Sequence, residues 1–303
     1  MSIRDTLDRV IADYEQLGRS LKELDSLVPK DVTVDIPDTE AGKIQTVMDS
    51  MKDTGGTINL TGINYPVIPV FKYKGKLIVI KSNEQARIRG FIANPKSGNI
   101  SFEKVNFTNP GTNNHVALGG DRHSMFTPEE VPSGFNFKDC QFIGPTRRGL
   151  MVNCADLIVD NCKFINYFQV GQDSQAISGW NGSRNHIIRN SYMEAGSENA
   201  GYGGADCASE LMIPRDILFE NCVFLKKTEW ENQSQYVMKC LFETKNVIGL
   251  TLRNSLFTGN WQQAWSNAPA IVLKSANQEN TNPYARTENV LIENNIIENV
   301  GNY

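Results

Sequence analysis

A pattern of apolar and polar positions eight residues long recurs seven times in this chain, without gaps. The copies are ISFEKVNF from Ile100, FNFKDCQF from Phe135, LIVDNCKF from Leu157, HIIRNSYM from His186, ILFENCVF from Ile217, LTLRNSLF from Leu250 and VLIENNII from Val290. Successive starts lie 35, 22, 29, 31, 33 and 40 residues apart. A fixed short strand with connections of varying length is the signature of a β-solenoid, since helical repeats keep a nearly constant period. The third position is always apolar (Phe102, Phe137, Val159, Ile188, Phe219, Leu252, Ile292), and so is the eighth (Phe107, Phe142, Phe164, Met193, Phe224, Phe257, Ile297). These columns predict interior stacks with one side chain per coil, about 4.8 Å apart as in any parallel ladder.

The remaining positions add register. The fifth is Asp or Asn in six copies (Asp139, Asn161, Asn190, Asn221, Asn254, Asn294), residue types that tolerate the left-handed backbone of a sharp corner. The fourth is always charged and alternates in sign: Glu103, Lys138, Asp160, Arg189, Glu220, Arg253, Glu293. Parallel stacking in chain order sets each charge beside its opposite, as neighbouring strands favour. Second apolar runs at 115–120, 149–153, 210–213, 237–243 and 270–274 supply further strands of each coil. Together these patterns predict an all-β, single-stranded, right-handed parallel β-helix.

The N-terminus follows a different period. Ile3, Leu7, Val10, Tyr14, Leu17, Leu21, Leu24 and Val28 alternate spacings of four and three, and Pro29 ends the run. This seam predicts an α-helical coiled-coil stem over 1–29, with oligomerisation through those apolar residues. A lone amphipathic helix lying on another surface is the alternative. Residues 30–56 read as an extended linker followed by a capping helix, with Asp38 as N-cap, Ile44, Val47, Met48 and Met51 on one face, and Gly55-Gly56 as its stop. Residues 57–303 then form the β-helix. It stops in mid-repeat at IIENVGNY, an ending expected of a truncated solenoid.

Composition narrows the partners. Over 303 residues the net charge is −4, with no basic footprint for nucleic acid. No apolar run reaches the ~20 residues of a membrane span, and the first residues lack the apolar core of a signal peptide. The six cysteines contain no C-x-x-C pair and read as reduced, buried small residues. No metal site and no cofactor are expected.

A helix ending in GGT-I-x-L that leads into β-helix coils resembles the pectate-lyase-like superfamily. With the heptad stem, the chain looks like a phage tailspike or tail fibre. That resemblance implies a homotrimer in the virion tail, made in the host cytoplasm. It would contact other tail proteins through the stem and bacterial surface polysaccharide through the β-helix. Residues 175–303, through SGWNGSRNHIIRNSYMEAGSENAGYGGAD, LFETKNV, FTGNW and AIVLKSANQ, also resemble bacterial right-handed β-helix repeat proteins of undefined activity.

The segment 194–210 reads as the loop richest in candidate chemistry, with Glu194, Glu198, Asn199, Tyr202, Asp206 and Glu210. Glycoside hydrolysis needs two carboxyl groups about 5–5.5 Å or 6.5–9.5 Å apart. Glu198 and Asp206 are the candidate catalytic pair, with Glu243 as alternative partner; the competing account is that these acids cap turns or face water. A lyase would draw on Asp206, Glu243, Lys245 and Arg215. Trp180, Tyr202, Trp230, Trp261 and Trp265 fall between strands, where they either stack on sugar rings or pack beneath loops. His186 replaces an apolar residue in its column and reads as a satisfied core histidine, while His115 and His123 read as loop residues. The expected function is a tail spike or fibre component that binds, or binds and depolymerises, host polysaccharide. A stand-alone polysaccharide lyase or hydrolase and a purely structural virion protein are the alternatives.

Overall fold

The computed structural model describes residues 32–301, except 71–72, 84, 109–112, 232, 234, 264–265 and 278. The heptad seam from Ile3 to Val28 lies outside the described residues, as does Trp265.

The chain winds as a right-handed parallel β-helix. Ten strands form its first sheet in chain order, from Thr33–Ile36 to Thr287–Glu293. A fifteen-stranded sheet covers the other two faces and folds over at Arg87–Ala93. That strand pairs with Asn106–Thr108 through its start and with Asn114–Leu118 through its end. The two halves of this sheet are here called the second and third sheets. The solenoid begins before the seven copies: Thr33–Ile36, Gly56–Leu60 and Ile78–Lys81 are three further rungs of the first sheet.

Each eight-residue copy is two strands joined by a corner. Ala155–Asp160 lies in the first sheet and Lys163–Tyr167 in the second, with Asn161 between them at φ 51°. The fifth-position residues all adopt this left-handed conformation, from Asp139 to Asn294, and Lys104 adopts it in the first copy. A second left-handed column stands immediately before each copy. Asn99, Gly134, Asp156, Asn185, Asp216, Gly249 and Asn289 have φ between 53° and 78°. Only Gly, Asn and Asp occupy it, because an ordinary side chain costs about 1–2 kcal/mol there.

The core follows the columns. Third-position residues are buried from Phe102 to Leu252, while Ile292 in the last rung is 40% exposed. Eighth-position rings stack face to face: Phe107 on Phe142 at 4.7 Å, Phe142 on Phe164 at 4.5 Å, and Phe224 on Phe257 at 4.4 Å. The charged fourth positions are register partners at all six steps. Arg189 reaches Asp160 at 2.7 Å and Arg253 reaches Glu220 at 2.8 Å. The six cysteines are free and buried, and the Cys140, Cys162 and Cys222 thiols point at backbone carbonyls of the preceding coil.

At the N-terminal end, a 3-10 turn (Asp38–Lys43) leads into α1 (Ile44–Ser50), which presses Ile44, Met48 and Met51 onto the core. Asp38 does not cap this helix. Its carboxylate instead accepts the N–H groups of Ile63 and Asn64, both at 3.1 Å. The run at 210–213 is also no strand, because Glu210–Met212 forms a 3-10 turn that packs Met212 under neighbouring loops. The third-sheet strands of those coils are Gln175–Gly179 and Glu198–Tyr202. The supposed loop 194–210 therefore contains the strand Glu198–Tyr202, held by parallel bonds to the coils on either side.

Candidate functional site

The outer face of the third sheet carries a polar constellation that spans several coils. Register places Asn114, Arg148, Gln175, Glu198 and Cys240 in one column across five coils. Three positions on, Ala117, Met151, Ser178, Gly201, Glu243 and Val272 form another. Between them two consecutive positions are buried in the core, as at Ala176–Ile177 and Leu241–Phe242, so the columns that flank them share the opposite face.

A chain of polar contacts crosses this face from coil to coil. Arg148 Nε donates to Gln175 Oε1 at 3.0 Å, and Gln175 Nε2 donates to Glu198 Oε2 at 2.8 Å. The other Glu198 oxygen lies 3.5 Å from Lys239 Nζ, which also holds Asp173 at 2.6 Å. Glu243 carries its own cations, Lys245 at 2.9 Å and Lys274 at 3.5 Å. Glu198 is only 4% exposed. Burial pushes its carboxyl above the ordinary range and Lys239 opposes that, while Glu243 and Asp173 raise it further and the Gln175 amide lowers it. A buried carboxyl raised in this way is poised to hold and deliver a proton.

Beneath Glu198 lies Lys226, fully buried. Its ammonium donates to the carbonyls of Ala195 (3.0 Å), Gly196 and Ser197 (2.9 Å), the turn that leads into the Glu198 strand. Burial draws its pKa down to about 8. Asn199 braces the same corner by donating to the Met193 and Leu225 carbonyls, each at 2.7 Å. Sequence reasoning did not single out Arg148, Gln175, Asp173, Lys226 or Lys239. One signal was present: Lys239 interrupts the apolar run VMKCLFE, as a cation needed on an outer face would.

Asp206 does not join this group. Glu198 opens its strand and Asp206 lies four residues beyond the far end, past about 13 Å of extended chain. Asp206 instead pairs with Arg122 and accepts from Asn277. There it lines a neighbouring cleft of about 260 Å³ with Asp121, His123, Trp180, Gly204 and Glu279. Glu243 and Asp173 are the carboxyl groups that act electrostatically on Glu198. Of the lyase candidates, Lys245 accompanies Glu243, whereas Arg215 lies in the first sheet and donates to the Glu210 carbonyl.

The aromatic candidates separate as clearly. Trp180 is half-buried, with the Arg148 guanidinium 5.4 Å from its ring centre. Tyr202 is 2% exposed and points into the core, so it cannot meet a sugar. Its hydroxyl bonds to His186 Nδ1 at 2.8 Å, and His186 Nε2 donates to the Cys154 carbonyl at 2.9 Å. Because a carbonyl only accepts, Nε2 carries the ring proton and Nδ1 accepts from Tyr202. Trp230 is buried against Phe168 and Tyr236. Trp261 is partly buried, with its indole nitrogen enclosed. His115, expected on a loop, is a core residue on a third-sheet strand, 2.5 Å from the Tyr167 hydroxyl. Glu194 is buried in its own network with Asn166, Tyr192 and Lys227.

No protein-family model and no curated protein sequence matches the chain. Among solved structures, a double-variant pectate lyase from Xanthomonas campestris aligns over 87% of this chain and 80% of its own, at 10% identity and a TM-score of 0.46. An alginate lyase aligns over 88% of this chain and 39% of its own, at 12% identity and TM-score 0.44. The Dettilon tailspike protein aligns over 80% and 68%, at 9% identity and TM-score 0.23. These are likenesses of the winding chain, and they identify no site residue.

Proposed function

We propose that this protein binds an extended polysaccharide along the outer face of the third sheet and cleaves it there, with Glu198 as general acid. The observation that carries the reading is the Arg148–Gln175–Glu198–Lys239–Asp173 row. From Arg148 to Lys239 it runs over successive coils, Asp173 joining Lys239 from the coil of Gln175, and its buried carboxyl is raised toward the protonated form. In a hydrolysis, Glu198 passes its proton to the glycosidic oxygen as the bond to the anomeric carbon breaks. Glu243 takes a proton from the water that attacks that carbon. The bond change then balances with no further reactant.

The biological setting within this proposal is a tail spike or fibre: an oligomeric stem docks the particle while the β-helix meets the host glycan. That part is supported by the heptad seam of residues 3–28 alone. Incubation with purified capsular and lipopolysaccharide glycans, followed by assays for new reducing ends and unsaturated products, tests the chemistry. New reducing ends that disappear in Glu198→Gln and Glu243→Gln support it; cleavage that survives in both refutes the site. Measuring mass in solution tests the stem, and a monomer with the stem intact would refute the spike.

A further inference from the structure

We propose that Arg148, held against Trp180, is an anion-recognising subsite, so that the glycan bound on this face carries a carboxylate or comparable anionic substituent. This rests on the glycan-binding reading above and specifies its substrate class.

The other cations of this face are paired with carboxylates. Lys239 holds Asp173 and Glu198, and Lys245 and Lys274 share Glu243. In the neighbouring cleft Arg122 holds Asp206. Together with the adjacent Arg147, whose buried Nε has no described partner, Arg148 is the exception. Among the described residues no carboxylate lies within salt-bridge distance of it, and its one side-chain hydrogen bond runs from Nε to the neutral Gln175 amide. A guanidinium offers five N–H donors, so the terminal nitrogens of Arg148 keep four without a described protein acceptor.

The surroundings of Arg148 favour an anion. Arg148 is largely buried, and the adjacent Arg147 adds a second positive charge. Both effects lower its pKa, to about 10, which leaves it charged at neutral pH. Glu198 and Asp173 attract it only from beyond salt-bridge reach. The terminal nitrogens are not buried, so a carboxylate can reach them, and a planar fork facing a carboxylate makes two parallel charge-assisted bonds. Trp180 fixes the guanidinium by a cation–π contact and offers apolar surface beside it, suited to a sugar ring. Arg148 and Glu198 stand two coils apart in one column, about 10 Å along the solenoid. The anionic group is thus recognised at a distance from the bond that Glu198 would act on.

The test uses the full chain and a panel of acidic bacterial oligosaccharides, each paired with its carboxyl-reduced counterpart. Affinities are measured by calorimetry at about 0.1 M salt, where exposed charges beyond ~10 Å are screened. The expected result is about tenfold or greater preference for the acidic form, falling to parity in Arg148→Gln and intermediate in Arg148→Lys. Unchanged melting of both variants shows that the fold survives. Equal affinity for acidic and reduced forms, or a preference that persists in Arg148→Gln, overturns this inference and leaves glycan binding standing. Binding of neither form overturns both.

Discussion

Gln175 and Glu198 occupy the same register position on adjacent coils, and the Gln175 amide donates a 2.8 Å hydrogen bond to the Glu198 carboxyl. With its oxygen committed to Arg148, Gln175 has one workable orientation. It ties the buried acid to the cation on the preceding coil.

Glu198→Gln should therefore separate stability from function. The substitution keeps the shape and removes a carboxyl that burial disfavours as an anion. Melting temperature is expected to hold or rise, while glycan cleavage falls by about 100-fold or more, the usual scale for losing a general acid. Scanning calorimetry and a reducing-end assay on the same preparation check this together.

Lys226→Met should show the opposite pattern. It strips the donor from three buried carbonyls of the 195–197 turn and is expected to destabilise the protein by about 2 kcal/mol. Urea denaturation at pH 7 measures it. An unchanged midpoint would mean that the turn is held without the lysine.

Acid should weaken the solenoid through its core histidines. Burial lowers His115 to about 3 and His186 to about 4, from 6.5 in an open chain. Between those values and 6.5 the unfolded chain binds protons that the folded one does not. The neutral-imidazole contribution is thus fully present above pH 6.5 and shrinks as pH falls toward 4 and then 3. Each histidine contributes a slope of about 1.4 kcal/mol per pH unit in that window. Denaturation series at pH 7.5 and pH 5 should show the loss, and equal midpoints would count against buried neutral imidazoles.

The left-handed corners give a backbone test. Asn221 sits at φ 53° on the surface, so Asn221→Ala should cost about 1 kcal/mol, while Asn221→Gly should be nearly neutral. Equal effects of the two substitutions would show that conformation does not decide this position.

These examples also show what the sequence made legible. The first and second sheets were readable because their columns repeat in one unbroken eight-residue frame, and the alternation from Glu103 to Glu293 marks neighbours directly. The column from Asn99 to Asn289 was equally regular but falls one residue ahead of that frame. The third sheet was harder. Loops of different length separate its strands from the repeat, and Glu198–Tyr202 (ENAGY) turns Asn199, Ala200 and Tyr202 inward in place of large aliphatics. The site suffered most. Arg148, Gln175 and Glu198 meet only through third-sheet register, 27 and 23 residues apart in the chain. Proximity in sequence instead suggested Asp206, which the strand carries away from Glu198.

If the outer face of the third sheet holds the glycan, binding protects that face alone. Hydrogen–deuterium exchange tests it most directly, using the full chain with and without the tightest-binding member of a panel of capsular and lipopolysaccharide oligosaccharides. Added protection is expected in 146–151, 173–180, 198–201 and 239–245, with the first-sheet strands unchanged. Protection confined to the first or second sheet, or no binding anywhere in the panel, would contradict it.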